Sequence, residues 1–380
     1  MKNSLVKIGS WVLVLLAGGC VDPYRPPEIS DPNTYLVVNG FFDSAPGATT
    51  TIQLSWSQNL TDSKPPTAET NARLTIESAH NATYSLTEKS AGVYSLSGVT
   101  AQPGETYRLH IQTASGLTYY SDYVPVTMSP AIDSISWQVE NDGVQINVNT
   151  HDPQNTTHYY RWEYDETWEY TAAYYSLFVY NDTNRTIDRR NEDVFNCWGS
   201  SNSRNIRVHS TVRLSQDIVS QFPLIAIPGS SIKFQSKYSI LVRQYALSQA
   251  GYEYYDQLAK ITQNIGSIFD PQPSQITGNI HSTNDPTNLA LGFFWAGSVT
   301  SQRIFIRKSQ LPGWVTITGD GYCDTDTLTA EQIRDSPTGI VSEYIPSPPL
   351  PPPYAYLTAP LACIDCRLKG GITKKPDFWK

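Results

Sequence analysis

The chain has 380 residues and a formal charge of −8, with 39% hydrophobic, 12% aromatic and only 16% charged side chains. The hydrophobic share can build cores and excludes a disordered chain, while the acidic balance is a poor match to nucleic acid, which calls for basic patches. The 24 tyrosines, with abundant Thr and Ser, favour strands, and the low Lys and Glu content argues against long solvated helices.

The first twenty residues have the layout of a secretory leader. Lys2 and Lys7 give a positive start, Ile8 to Ala17 form a short apolar run, and Gly18, Gly19 and Cys20 follow. The run is too short to span a bilayer. A cysteine after small residues is what a lipoprotein signal peptidase needs, although Leu16 lies one place upstream of its strict position. The expectation is a leader over 1–19 and lipidation of Cys20, each buried methylene adding roughly 0.8 kcal/mol of membrane affinity. Residues 20–34 hold four prolines and little apolar content, so they are expected to be an extended tether. No later stretch is long and apolar enough for a transmembrane helix. The roughly 360 residues after the leader suggest two domains or three.

Residues 35–128 are expected to form an immunoglobulin-like β-sandwich. Tyr35 to Phe41, Thr50 to Trp56, Ala72 to Glu77, Thr83 to Leu86, Gly92 to Leu96 and Tyr107 to Thr113 are short strand candidates parted by turn residues. Val124 to Pro130 has the look of a linker. Residues 129–345 are expected to be a larger β-rich domain. It opens with a hairpin about Asn141-Asp142-Gly143 and continues through Tyr159 to Tyr164, Tyr174 to Tyr180, Ile206 to Leu214, Ser236 to Tyr245, Leu289 to Ser298 and Gln302 to Arg307, where the sheet is expected to end. One amphipathic helix is expected near 248–265, with Ser248 as N-cap and a tyrosine stripe used for packing. Residues 346–380 are a proline-rich segment and a cysteine-containing tail.

Beyond Cys20, Cys197, Cys323, Cys363 and Cys366 suggest two disulfides in an oxidising compartment. Either Cys363 pairs with Cys366 and Cys197 with Cys323, or the tail cysteines reach back to Cys197 and Cys323. The proline run cannot pack well, and something should hold the tail, which favours the second. A four-cysteine zinc site would need two close pairs and has one. Cys363-x-x-Cys366 does not open a helix in a βαβ unit, so a redox role is weakly supported.

Four strings together resemble one family: YLVVNGF over 35–41, GSIFDPQPSQITGN over 266–279, LGFFWAGSVTSQRIFI over 291–306 and CIDCRLKGGITKKPDFW over 363–379. They are similar to Bacteroidota lipoproteins filed as a domain of unknown function, number forty-two forty-nine. The resemblance spans nearly the whole chain. It implies an outer-membrane lipoprotein, often encoded beside a TonB-dependent receptor, and brings no catalytic residues with it. Val21-Asp22 is not a clear acidic signal for export to the outer surface; the cell surface is nonetheless the favoured address.

No catalytic or metal-binding constellation stands out. The six histidines are scattered, and no Gly-x-Ser-x-Gly elbow is present. Carboxylate pairs such as Asp165 with Glu166, or Asp324 with Asp326, could in principle serve a glycosidase, but loops abound in such pairs. Asp320, Asp324 and Asp326 lack the spacing of a calcium loop. The rigid turn holding Asp270, Gln272 and Asn279 is the favoured contact loop, because binding residues concentrate on loops held by a scaffold. The expectation is therefore a non-enzymatic, cofactor-free binding or accessory lipoprotein beside a TonB-dependent receptor in nutrient uptake, its ligand open. A carbohydrate-active surface enzyme and a structural or adhesive lipoprotein are the alternatives.

Overall fold

The computed structural model describes residues 34–58, 62–102, 104–140, 142–263, 276, 278–283, 285, 288–313, 323–335, 338–344 and 355–380. The chain is all-β, with one helix of substantial length among the described residues, Gln249–Gln263. No helix among the described residues is long and apolar enough to cross a membrane.

The first sandwich arises from alternation. In Leu36–Asp43 and Thr49–Trp56, which pair antiparallel, Leu36, Val38, Phe42, Ile52 and Leu54 turn inward. Val93–Ser97 and Thr87–Ser90 extend this layer. The opposite layer is built from Arg73–Ser78, Thr83–Ser85, Thr106–Gln112 and Thr118–Ser121, and contributes Leu74, Ile76, Tyr107, Leu109, Ile111 and Tyr119 to the same core. Burying one such side chain is worth about 1.5–3 kcal/mol.

Two features depart from the expected division of the chain. Val124–Thr127, read as linker, is a strand that pairs with Thr106 and Tyr107. Residues 280–297, assigned to the second region, return to the first. Ile280–Ser282 pairs antiparallel with Thr118–Ser121; Ala290–Leu291 and Ala296–Gly297 run parallel to the opening strand, and Ala296–Gly297 also parallel to Val124–Thr127. These insertions join the two layers into one twelve-stranded, nearly closed sheet. Gly292 makes the close approach: its φ is +133°, and a Cβ there would lie 2.1 Å from the Val38 carbonyl oxygen.

The second sandwich packs a three-stranded sheet (Ile132–Glu140, Gly143–His151, Ile218–Pro228) on a five-stranded one. The larger sheet runs Asn196–Asn202, Tyr159–Thr171, Lys237–Ala246, Val299–Arg307, with Arg207–Ser210 beside the start of Tyr159–Thr171. Their shared core holds Val144, Ile146, Tyr160, Trp162, Tyr238, Ile240 and Val242. The expected hairpin is present, with Glu140 opposite Gly143. Strand structure does not stop at Arg307. A further five-stranded sheet orders Thr186–Arg189, Phe178–Asn181, Gly339–Tyr344, Ala355–Ala359 and Asp326–Thr329, so part of the supposed tail is a strand with neighbours on both sides. The strand expected over Tyr174 to Tyr180 shrinks to Phe178–Asn181.

The two sandwiches meet through aromatics. Phe41 stacks on Trp295 with ring centroids 4.1 Å apart, and Tyr245 meets both edge-on. Thr127 donates to the Ala246 carbonyl at 2.7 Å, and Ser129 Oγ to that of Gln244 at 3.1 Å.

Candidate functional site

The outer face of the five-stranded sheet built on Tyr159–Thr171 carries charged, hydroxyl and amide side chains. Strand Tyr159–Thr171 sends Tyr160, Trp162, Tyr164 and Glu166 into the core and Arg161, Glu163 and Asp165 outward. Register then fixes the neighbours. Glu163 lies opposite Arg243, and Arg243 opposite Ser301; Asp165 lies opposite Leu241, and Leu241 opposite Arg303. Asn202 and Ser200 continue the rows on the far side, opposite Asp165 and Thr167. Arg161, Arg243, Arg303, Glu163, Asp165 and exposed Ser200, Asn202 and Ser301 thus share one face, with Glu169, Lys237 and Arg307 in a row at its far end.

Most of these charges are matched. Both Nη groups of Arg243 donate to Asp165 Oδ2, at 2.6 and 2.7 Å. Arg161 pairs with Glu163, which also accepts from Tyr245 Oη at 2.7 Å. Arg303 differs. Its Nη1 donates to Ser239 Oγ at 3.1 Å and its Cζ lies 3.6 Å from the Phe378 ring centroid, but it has no carboxylate partner among the described residues. Burial lowers its pKa, the Asp165 carboxylate works against that shift, and the neighbouring Arg243 adds to it.

Two structures bound this face. At one end lies the helix Gln249–Gln263, started by Ser248, whose Oγ accepts from Gly251 N at 3.2 Å. Its Tyr255 sits over Arg161, and Tyr254 packs on Phe293 at 5.3 Å, where burial first and Tyr255 second push its hydroxyl up to about 12. At the other end lies 372–380. Trp379 packs edge-on against Phe305 and donates to Glu169 at 3.4 Å, while Phe378 remains 38% exposed above Arg303. This segment is held by the Cys197–Cys366 disulfide, by the Trp198 and Ile372 backbones, which bond each other at 2.8 and 3.0 Å, and by close packing at Gly371. A Cβ on Gly371 would lie 2.3 Å from Tyr170 Oη.

Cys20, Asp270 and Gln272 lie outside the described residues. Asn279, expected on a contact loop, is 6% exposed, and its amide bonds the Phe294 backbone twice at 2.8 Å; it pins the returning segment. The disulfides are Cys197–Cys366 and Cys323–Cys363, so both tail cysteines reach back. Asp165 and Glu166 cannot act as a facing pair, because adjacent strand residues point to opposite faces. Glu166 is instead 3% exposed, held by Lys233 at 2.7 Å and Tyr238 at 2.8 Å. His80, His110, His151 and His281 each sit within 3.2 Å of a carboxylate. No three His, Cys, Asp or Glu among the described residues cluster as metal ligands. Arg243 and Arg303 were missed by sequence reasoning. The one signal was the period-2 run Arg161, Glu163, Asp165, which marks a charged strand face.

A second groove, of about 390 Å³, lies between Met128–Asp133 and His151–Thr157. Asp152 closes that loop: burial raises its pKa, but N–H groups of Gln154, Thr156 and Thr157 outweigh burial and hold it well below the usual carboxylate range. Its acceptor capacity is spent internally.

Among solved structures, the chain is similar to a Bacteroides uniformis protein provisionally assigned as carbohydrate-binding, at 9% identity and a TM-score of 0.15 over 58% of this chain and 93% of that one. It is also similar to the B domain of a biofilm-associated protein, at 8% identity and a TM-score of 0.14 over 74% and 88%. Likenesses this slight carry no weight for fold or function. No curated protein matches the chain. The family described as Domain of unknown function (DUF4249) matches residues 21–303, most of the chain, and the chain belongs to that family.

Proposed function

We propose that this chain is a lipid-anchored binding component of the cell envelope, held to the outer membrane through Cys20, that captures cargo for a TonB-dependent receptor. The observation that carries the reading is the outer face of the five-stranded sheet: an open, polar and charged floor fixed by strand register, between the helix and 372–380. Binding residues on rigid strands need little ordering when a ligand arrives. The interlaced sandwiches and two disulfides support a body that resists proteolysis outside the cell. Glu163 and Asp165 share the face, but each is engaged by an arginine. That arrangement favours holding a ligand over proton transfer, so the reading is non-enzymatic.

The test is purification of the full chain from its native outer membrane in mild detergent, with co-purifying molecules identified by mass spectrometry. Stoichiometric recovery of a TonB-dependent receptor supports the reading. Recovery of the chain alone, despite crosslinking before extraction, counts against it.

A further inference from the structure

Of Arg161, Arg243 and Arg303, the least satisfied is the Arg303 guanidinium. It is partly buried, yet one hydrogen bond to Ser239 and the Phe378 ring are its partners among the described residues. A guanidinium has five N–H donors, so most of this fork remains free. Asp165, whose Oδ2 takes both Nη groups of Arg243, acts on Arg303 electrostatically but makes no ion pair with it. A planar fork held over a ring is the geometry that takes carboxylate or sulfate oxygens in pairs.

Around the fork the floor is made of side chains, not backbone. On this face Ser301 lies two residues along the strand from Arg303, Ser200 and Asn202 offer an exposed hydroxyl and amide three strands across the sheet, and the Phe378 ring is 38% exposed. An extended peptide binds a sheet by adding to its edge, where N–H and C=O groups are free. The face itself offers none of these, and since Val299–Arg307 is the last strand of its sheet, polyglutamate among the probes below tests a peptide at that edge. The face suits a ligand rich in hydroxyls that can also pack on a ring.

We propose that this face binds an acidic saccharide, carboxylated or sulfated, with Arg303 as the anion anchor, the exposed hydroxyl and amide side chains as hydroxyl partners, and Phe378 as the ring it packs against. The inference rests on the reading of the face as a capture surface and adds its ligand class. The Arg243–Asp165 pair stays intact on binding and keeps the second arginine from competing.

Isothermal titration of the full chain in mild detergent tests this, with an oligogalacturonate, a sulfated oligosaccharide, neutral maltohexaose and polyglutamate as probes. Whichever acidic saccharide binds tighter identifies the anion. The expected result is binding of an acidic saccharide at least tenfold tighter than maltohexaose, weakening as salt rises. Arg303→Gln should cost on the order of ten- to a hundredfold in affinity and abolish the preference, and Arg303→Lys should recover part of it. Arg303→Gln removes one hydrogen bond and the contact with the Phe378 ring but no ion pair, so an unchanged near-ultraviolet circular dichroism spectrum of the variant separates lost binding from lost fold. Ser301→Trp, which places a bulky ring on the floor, should block every saccharide. If acidic and neutral saccharides bind equally and Ser301→Trp blocks both, the acid specificity is overturned while the capture surface stands. If polyglutamate binds as tightly as the saccharides, the saccharide assignment is overturned. If nothing binds and Ser301→Trp changes nothing recovered from the native membrane, both the inference and the capture surface fall.

Discussion

Trp295→Ala is the sharpest probe of the interlaced architecture. Trp295 is 3% exposed, lies parallel to Phe41 at a centroid distance of 4.1 Å and receives the Tyr245 edge at 5.5 Å. A buried tryptophan removes up to about 250 Å² from water, which at roughly 25 cal/mol per Å² gives a transfer contribution of at most about 6 kcal/mol. Residual burial in the unfolded chain lowers that figure, and lost ring stacking and the cavity left behind add to it. The expected loss is about 3–5 kcal/mol. Urea unfolding gives the total, and hydrogen exchange resolves it by strand. Because residues 280–297 pair with the first sandwich while Trp295 packs on Tyr245 of the second, amides in both Thr49–Trp56 and Lys237–Ala246 should lose protection together. A loss under about 1 kcal/mol, or protection falling in one of these strands alone, would refute the reasoning.

Three further outcomes are expected. Lys233→Met strands the buried Glu166 carboxylate and should cost about 3–5 kcal/mol in chemical denaturation; adding Glu166→Gln should restore most of it, and no restoration would mean the pair is not what was lost. Cys197→Ser with Cys366→Ser should free 372–380 from the sheet, seen as fast tryptic cleavage after Lys374; the closed loop of 169 residues is worth about 5 kcal/mol by chain entropy, and unchanged proteolysis would show that packing at Gly371 and Trp379 suffices. Asp152 has a lowered folded pKa, so its stabilisation is complete above the unfolded carboxyl value near about 3.9 and is lost as pH falls from there through the folded value. Asp152→Asn should therefore lower the thermal midpoint at pH 7 by a margin that narrows steadily as pH falls below about 4; a margin that stays constant in acid would assign the effect to packing.

What was legible in the sequence was local. Alternation gave the strands of the first sandwich, Asn141-Asp142-Gly143 gave a hairpin, and Ser248 with its tyrosine stripe gave a helix expected over 248–265 and found over Gln249–Gln263. What escaped was non-local. Ala290–Leu291 and Ala296–Gly297 are two-residue pairings made parallel to a strand more than two hundred residues earlier, too short to carry periodicity of their own. The last sheet was hidden because its strands come from both sides of the proline-rich stretch. The candidate face was half-visible: Arg161, Glu163 and Asp165 alternate along one strand, but Arg243 and Arg303 join them through register alone. Asn279 misled because a polar residue beside Pro and Gly has the look of a loop, whereas its amide serves the Phe294 backbone.

The most direct test of the central claim is site-specific photo-crosslinking in living cells of the native host. A photoreactive residue replaces Ser301, on the proposed capture face, or Lys89, on an exposed strand of the first sandwich. The account predicts adducts with a saccharide or with a TonB-dependent receptor at 301 and none at 89. Adducts at 89 alone, or at neither position while the chain is present in the outer membrane, would contradict it.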